Sequence, residues 1–380
     1  MDFELTEDQK MVRQTVREFA ETELAPDASE RDEKQEFPHE QVKKLGELGF
    51  MGVFIPEEYG GAGLDSICYT ILIEELSRVD ASVGTIVSVN NSLFCSGIYK
   101  FGTEAQKQKF LIPLAGGNGL GAYSLSEAGS GSDAASLKTR LTPDGDHYVV
   151  NGTKLWVTNG LHATHYIVFM TLDPEKRHKG ICAVIVERDT EGFEIGKKEN
   201  KLGIRSSDTV ELIFNNARIP KENLLGEEGD GFGIAMSILD NGRISIGAQA
   251  LGIAQGAFDA SLKYAQERES FGKPLIKHQA IQNKLADMAT QIDAGRLLLY
   301  RAAKLRDLGK IHSKEASMAK LFCADISNRI ASEAVQIHGG YGYLKDFAVE
   351  RFMRDAKITE IYEGTSEIQR IVIARHLLDA

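Results

Sequence analysis

The sequence lacks the features that mark several large classes of protein. In its 380 residues, no apolar run reaches the roughly 18 residues that a membrane-spanning helix needs. The net charge of −11 comes with no basic run and no alternation of arginine with aromatic residues, so we expect no membrane span and no nucleic-acid partner. Residues 1–4 carry no apolar signal-peptide region. We therefore expect a cytoplasmic protein, and a mature mitochondrial matrix form also fits.

Cysteine and metal-binding motifs are equally scarce. The nine histidines include no His-Glu-x-x-His motif, and His162 and His165 lie in a Gly/Thr-rich loop without an acidic third ligand, so we expect no metal site. The four cysteines form no Cys-x-x-Cys pair, and we expect them to be free thiols that fill the core in a reducing compartment. They are Cys68, Cys95, Cys182 and Cys323.

The hydrophobic pattern changes twice along the chain and predicts three domains. Helical periodicity dominates the start, with capping-box pairs at Thr6/Gln9 and Thr103/Gln106. Alternating segments take over near Leu120, and the helical period returns for good near Gly231. The expected fold is α+β and multidomain. It comprises an N-terminal α-helical domain (1–120), a middle antiparallel β domain (121–230) and a C-terminal α-helical bundle domain (231–380).

Turn pairs divide the middle region into predicted strands. Asn151-Gly152 lies between two short apolar segments and predicts a tight hairpin of residues 148–158. Further strands are predicted over 166–170, 180–186 and 209–214. The pairs Asp144-Gly145, Asp173-Pro174 and Asn215-Asn216 are predicted to separate them.

Two stretches of the middle region could bind a ligand. Glycines and serines between Leu125 and Asp133 offer N–H groups and hydroxyls to an anion. Taken alone, such a stretch is more often a flexible loop than a binding site. The segment Trp156-Val157-Thr158 holds the one tryptophan. Strand alternation places Trp156 and Thr158 on one face, where they suit a planar cofactor; the alternative is that Trp156 belongs to the core.

The C-terminal region adds three more candidates. Arg243, near the start of a long helix, could bind a phosphate or pair with Asp240 on the surface. The connection 268–274 contains an arginine and a phenylalanine that is expected to be exposed. The segment 336–343 has more glycines and tyrosines than a helix end requires, which indicates close approach to a ligand or a neighbouring chain.

Glu363 lies on a short turn between two predicted helices, and Ser366 and Gln369 have capping-box spacing after it. Its neighbours Ile361 and Tyr362 provide an apolar setting that raises the pKa of a carboxyl group, which suits a general base. The alternative is a solvated glutamate in a loop.

These stretches, in this order and over essentially the whole chain, resemble the acyl-CoA dehydrogenase flavoprotein family. Residues 125–136 are similar to its first signature, and residues 336–355 to its second, longer one. Ala128 and Ser124 depart from the residues that are usual in the first. The resemblance implies noncovalent FAD, a C-terminal four-helix bundle and a homotetramer built as a dimer of dimers. It also implies a short-chain (butyryl-CoA-like) acyl-CoA substrate and an electron-transfer flavoprotein as electron acceptor.

The resemblance also implies a role for individual residues. Glu363 matches the base that takes the α-proton while the β-hydrogen leaves as hydride to flavin N5, giving a trans-2-enoyl-CoA. Its backbone N–H and a flavin ribityl hydroxyl would polarise the thioester carbonyl. The implied FAD contacts are Tyr123, Leu125, Ser126, Ser132, Trp156, Val157, Thr158, Thr365, Ser366 and Glu367, and across a subunit interface Arg268, Phe271, Gln279, Gln336, Ile337, His338, Gly339 and Gly340. The implied substrate contacts are Ser132, Asp240, Asn241, Gly242, Arg243 and Gly364.

Two positions narrow the substrate within this resemblance. Gly242 stands where isovaleryl-CoA dehydrogenases carry their base, so Glu363 has no rival, and Gly84 stands where glutaryl-CoA dehydrogenases carry an arginine for a distal carboxylate. Alternatives remain open: a medium- or branched-chain dehydrogenase, the same site used physiologically as an enoyl-CoA reductase, an acyl-CoA oxidase, or a noncatalytic scaffold.

Overall fold

The structure is a computed structural model that describes residues 4–378, so residues 1–3, on which the expectation of no signal peptide partly rests, lie outside it. The helices α1–α13 span Glu7–Phe19, Ala28–Lys34, His39–Glu47, Ser66–Val79, Ala81–Ser88, Ser96–Phe101, Glu104–Gln106, Ile112–Ala115, Gly231–Glu267, Gln279–Asp307, Ser313–His338, Val349–Ala356 and Ser366–Leu378. The strands β1–β10 span Gly121–Ser124, Arg140–Asp144, His147–Thr158, His165–Thr171, Ile181–Glu187, Phe193–Lys198, Thr209–Pro220, Leu224–Leu225, Glu269–Ser270 and Lys273–Pro274. Within residues 4–378 no helix combines the length and apolarity needed to cross a lipid bilayer.

The N-terminal helices begin and bend where the sequence gives a local reason. Both predicted capping boxes are confirmed: the Thr6 hydroxyl accepts from the backbone N–H of Gln9, whose side chain accepts from that of Thr6, and Thr103 and Gln106 repeat the exchange. Between α5 and α6, residues Val89–Cys95 form a π-helical segment. Buried Asn91 in this segment binds the backbone of the loop that follows α3, which fixes the segment against that loop.

The middle domain is one twisted sheet with the order β6-β7-β3-β2-β4-β5-β8, and β1 pairs with β4. The pairs are antiparallel except that β1 and β2 run parallel to β4. Two predicted turns are wrong, because β3 and β7 each continue through them. Asn151 and Asn216 lie in the paired strands β3 and β7, at an irregularity in the register. The Asn151 side-chain amide donates to Asn216 Oδ1, and the Asn216 backbone N–H donates to Asn151 Oδ1. The side-chain amides therefore stabilise a bulge instead of ending the strands.

The buried apolar residues form three clusters. One joins the N-terminal helices to α9, α10 and α11, and a second lies within the sheet. The third joins the π-helical segment, one face of the sheet and the start of α9. All four cysteines are buried free thiols, as predicted. Because the first turns of α9 lie between the sheet and the helical core, side chains there can meet residues from all three regions.

Candidate functional site

A cavity of about 550 Å³ lies where the three regions meet. Its size is in the range of small-molecule sites. Its lining includes apolar side chains, among them Val89 and Leu93 of the π-helical segment, and also hydroxyl, carboxyl and indole groups. The lining residues are Thr85, Val89, Leu93, Tyr123, Leu125, Ser126, Gly131, Ser132, Asp133, Ala134, Ala135, Leu155, Trp156, Thr158, Phe232, Met236, Leu239, Arg243, Ile358, Ile361, Tyr362, Glu363, Gly364, Thr365 and Ile368.

Glu363 reaches this cavity from a left-handed turn. Its φ is 50° and that of Gly364 is 93°, so two successive residues adopt a conformation that glycine tolerates and glutamate disfavours. The Gly364 carbonyl accepts hydrogen bonds from Lys320 Nζ at 2.7 Å and Gln369 Nε2 at 2.8 Å. These two buried side chains, one on α11 and one on α13, fix the position of the turn.

The capping box predicted at Ser366 is wrong. Helix α13 begins at Ser366, and the cap lies one residue earlier, where the Thr365 hydroxyl accepts from the backbone N–H of Ile368 at 3.3 Å. The Gln369 side chain donates to the carbonyls of Glu363 and Gly364 and is therefore committed to the turn. Thr365 also lines the cavity, whereas Ser366 and Glu367 lie in a neighbouring polar recess.

The carboxyl group of Glu363 has the electrostatics of a general base. Oε2 is buried and has no hydrogen-bond partner in the described part of the chain. Burial raises the pKa of Glu363 to about 7, against the opposing charges of Lys320 and Arg243. A carboxyl group poised near neutral pH can accept a proton and later release it.

Gly242 on α9 makes room for that carboxyl group. A Cβ atom at this position would lie 1.9 Å from Glu363 Oε2 and 2.9 Å from Leu93 Cδ2. A side chain at position 242 and the observed Glu363 conformation are therefore mutually exclusive. Gly242 contributes space at the site, in addition to providing no competing carboxylate.

The indole of Trp156 borders the cavity and is 57% exposed, so the alternative reading of Trp156 as a core residue is wrong. Its φ of 58° and a register shift between Lys154 and Val157 interrupt strand alternation here. Trp156 and Thr158 nevertheless line the same cavity, as expected, whereas Val157 points into the sheet core.

A buried ion pair anchors the loop of residues 125–136 to β3. Lys154 Nζ donates to Glu127 Oε1 at 2.7 Å and to the Leu125 carbonyl at 3.0 Å. The second carboxylate oxygen of Glu127 accepts from the backbone N–H of Lys138. This anchoring places Leu125, Ser126 and Ser132 along the cavity wall.

The predicted substrate residues on α9 separate into two groups. Arg243 lines the cavity and is nearly buried, and its guanidinium lies 2.5 Å from Asp240 Oδ1, so the pairing with Asp240 is correct but its placement on the surface is not. Asp240 also accepts from Ser313, which ties α9 to the start of α11. Asn241 instead bridges Ser96 and Arg306 outside the cavity.

The second predicted group of cofactor residues lies apart from Glu363. Arg268, Ile337, His338, Gly339 and Gly340 line a separate open cavity of about 440 Å³. His338 is buried there and stacks on Tyr264 at 4.2 Å. Three further residues of this group are exposed and face solvent in the single chain: Phe271, Gln279 and Gln336. Phe271 is 96% exposed.

Sequence reasoning did not predict the contacts that support the Glu363–Gly364 turn. Lys320 lies in an ordinary helical pattern, and nothing in its neighbours distinguishes it; the spacing of Gln369 assigns it to a capping box with Ser366 instead of to the turn. The Tyr362 hydroxyl donates to Gln249 on α9, whose side-chain amide donates to the Ala81 carbonyl and to Thr85. This chain of hydrogen bonds connects the turn to α5 and α9.

Comparison with known proteins identifies the family. Models of the acyl-CoA dehydrogenase N-terminal, middle and C-terminal domains match residues 6–118, 122–217 and 229–378. The chain is 53% identical to the mitochondrial short-chain specific acyl-CoA dehydrogenase of Rattus norvegicus, covering 99% of this chain and 91% of that protein.

Solved structures agree over the full length of the chain. One is butyryl-CoA dehydrogenase from Megasphaera elsdenii, with 47% identity and a TM-score of 0.98. Another is a chain described under "Electron transferring flavoprotein of Acidaminococcus fermentans: Towards a mechanism of flavin-based electron bifurcation", with 50% identity and a TM-score of 0.99. Both comparisons cover 100% of each chain. The protein therefore belongs to the acyl-CoA dehydrogenase family of flavin-dependent oxidoreductases.

Proposed function

We propose that the protein dehydrogenates a short-chain, saturated acyl-CoA to a trans-2-enoyl-CoA, with Glu363 as the base that removes the α-proton. The observation that carries this proposal is the unpartnered, buried Glu363 Oε2 at the cavity wall, on a carboxyl group whose pKa is raised to about 7. A base in this state accepts a proton from a weak carbon acid without first losing a strong partner. The short-chain relatives named above support the substrate class.

The cavity also fits a flavin, for which we propose FAD. The exposed face of Trp156 and the hydroxyls of Ser126 and Thr158 offer a planar contact and hydrogen bonds. Buried Tyr123 Oη borders the same cavity and has no partner in residues 4–378, which is the state expected of a polar atom that faces a ligand. The flavin would supply the acceptor for the β-hydrogen as hydride.

The chain's own residues would align the thioester and exclude water. The Glu363 backbone N–H is proposed to donate to the thioester carbonyl, which makes the α-proton more acidic. Gly242 leaves space for the carboxyl group, Gly364 borders the cavity beside it, and Ser132 also lines the cavity. Apolar lining residues such as Val89 and Leu93 exclude water from the carboxylate, which keeps it reactive once it is ionised.

The cavity lining favours a monocarboxylic acyl group. Val89, Leu93 and Leu239 supply apolar contacts. Arg243 is the one lysine or arginine among the lining residues, and its guanidinium already pairs with Asp240. A second carboxylate on the acyl chain would be buried without a free cation, at a cost of several kcal/mol. Gly84 is not among the lining residues, and its Cβ position faces Ser77 on α4.

We further propose that the second cavity receives the cofactor of a neighbouring subunit in a homotetramer. Arg268 and Phe271 project from the connection before α10, and Gly339 and Gly340 leave open space where a side chain would otherwise stand. An exposed phenylalanine beside an arginine and bare backbone suits an adenine and a pyrophosphate. An electron-transfer flavoprotein would accept the electrons, in keeping with the Acidaminococcus fermentans neighbour.

Anaerobic titration of the purified protein with acyl-CoAs of increasing length tests the proposal. Loss of flavin absorbance should be fastest with four-carbon acyl groups and should disappear in Glu363→Gln without loss of bound flavin. Glu360→Gln is a matched control, since that carboxylate pairs with Lys357 three residues before it. Full-rate bleaching by Glu363→Gln would refute the base assignment, and a colourless protein would refute the flavin.

The second candidate is the same site used physiologically as an enoyl-CoA reductase. The similarity to the Acidaminococcus fermentans chain favours it, because the work on that structure concerns electron bifurcation. The residues required are the same in both directions by microscopic reversibility. Reduction of crotonyl-CoA by the protein with its reduced redox partner, faster than the oxidation of butyryl-CoA, would support this direction.

A further inference from the structure

Lys320 is a fully buried cation with an unusual environment. Its side chain is 0% exposed, and within residues 4–378 no carboxylate oxygen lies within 4.0 Å of its Nζ. The other lysine with 0% exposure, Lys154, pairs with Glu127 at 2.7 Å. Burying an ammonium group without a carboxylate partner is costly, so its position on α11 requires a compensating interaction.

The compensating interaction is a hydrogen bond to the Glu363–Gly364 turn. Lys320 Nζ donates to the Gly364 carbonyl at 2.7 Å, one residue after Glu363. Gln369 donates to the same oxygen from α13, so two donors on different helices hold one carbonyl. Hydrogen bonds from two helices can maintain the left-handed backbone that directs the Glu363 side chain into the cavity.

Building on the proposed role of Glu363 as the base, we propose that Lys320 is a positioning residue for this reaction. It fixes the Glu363–Gly364 turn through its hydrogen bond, and its positive charge favours the ionised, proton-accepting form of Glu363. Gln369 shares the first task and has no charge with which to perform the second. Variants of the two residues therefore distinguish the effect of the hydrogen bonds on the turn from the effect of the Lys320 charge on Glu363.

Other charged and titratable groups surround this pair. Arg243 on α9 also favours ionised Glu363, and the carboxylates of Glu360 and Glu367 act on Lys320. Nearby Tyr69, Tyr123 and Tyr362 stay neutral, because burial raises the pKa of each phenol above its ordinary value. Burial lowers the pKa of Lys320 to about 8, and the Glu363 charge opposes this shift. Lys320 is thus charged in the range where Glu363 titrates.

The test compares Lys320→Met, which removes both charge and donor, with Gln369→Leu, which removes a donor only. Two measurements are made on the flavin-loaded enzyme: the pH dependence of anaerobic flavin reduction by butyryl-CoA, and infrared titration of the Glu363 carboxyl band, with Glu363→Gln as the spectral blank. Ser327→Ala on α11 is the control, since that buried hydroxyl has no partner in the described chain.

In Lys320→Met, the carboxyl midpoint and the acidic limb of the rate profile should both rise by about one pH unit. At pH 7 this shift alone lowers the ionised fraction of Glu363 roughly fivefold. Gln369→Leu should lower the limiting rate and leave the limb in place, and Ser327→Ala should match the parent protein.

A parent-like midpoint and acidic limb in Lys320→Met would overturn the proposal and reduce Lys320 to a packing residue. If Lys320→Met does not fold, Lys320→Gln takes its place with the same expected shift and the same refuting result. Full activity in Glu363→Gln would instead defeat the proposed function, so the two failures can be distinguished.

Discussion

Replacing Gly242 with alanine should disable the base and leave the fold intact. The new Cβ would lie 1.9 Å from Glu363 Oε2, whereas a carbon and an oxygen approach to about 3.3 Å without a clash. The carboxylate is the free end of a flexible side chain, so it should move by roughly 1 Å or more while the backbone stays in place. Misplacement of a reacting group by about 1 Å can cost about 100-fold in rate.

Gly242→Ala should lower the reaction rate without lowering the stability of the protein. Alanine is favoured over glycine inside a helix by about 0.5–1 kcal/mol, so thermal unfolding of Gly242→Ala should occur at the same temperature or slightly higher. Stopped-flow flavin reduction by butyryl-CoA gives the rate, and calorimetry gives the unfolding temperature.

Gly233→Ala is the matched control. Gly233 lies on the same helix, and no atom lies within 4 Å of its added Cβ. It should gain the same helix preference and keep the parent rate. Parent-like flavin reduction by Gly242→Ala would show that Glu363 is not held where the structure places it, or that it is not the base.

Two further predictions concern buried charges. Lys154→Met should destabilise the protein by about 3–5 kcal/mol in urea unfolding, because the Glu127 carboxylate stays buried without its cation, and adding Glu127→Gln should restore most of the loss. The Glu363 carboxyl group has its pKa raised from 4.5 to about 7, so its contribution to stability is complete below pH 4.5 and is lost as the pH rises through 7. Glu363→Gln should therefore gain up to about 3 kcal/mol over the parent protein between pH 4.5 and 8. A constant difference between the two proteins across this range would contradict that assignment.

The pattern of the sequence predicted the order of a helical region, a sheet and a second helical region, and the fold confirms that order. It failed where side-chain hydrogen bonds between strands decide the local structure. Asn151-Gly152 has the chemistry of a hairpin turn, and a local rule assigns it to one. In the folded chain, Asn151 meets Asn216 across two strands, and the pair supports a bulge. That partner lies 65 residues away, so no local window could have revealed it.

Some residues of the candidate site could be predicted from local sequence, and others could not. Glu363 and Trp156 stand in recognisable segments, whereas Lys320 lies in a helical stretch whose pattern resembles any amphipathic helix. Lys320 becomes buried because α11 packs against α9, α10, α12 and α13. Its function follows from the Gly364 carbonyl, whose position depends on backbone dihedral angles that the residue types alone do not determine.

Backbone strain at the cavity explains why these supporting contacts are needed. Trp156 and Glu363 both border the cavity and both have positive φ, which costs about 1–3 kcal/mol at each position. The left-handed turn directs Glu363 away from its own helices and towards Gly242. Lys320, Gln369 and the bulge in β3 hold that strained geometry before a ligand arrives, so the bound substrate does not have to supply the ordering energy.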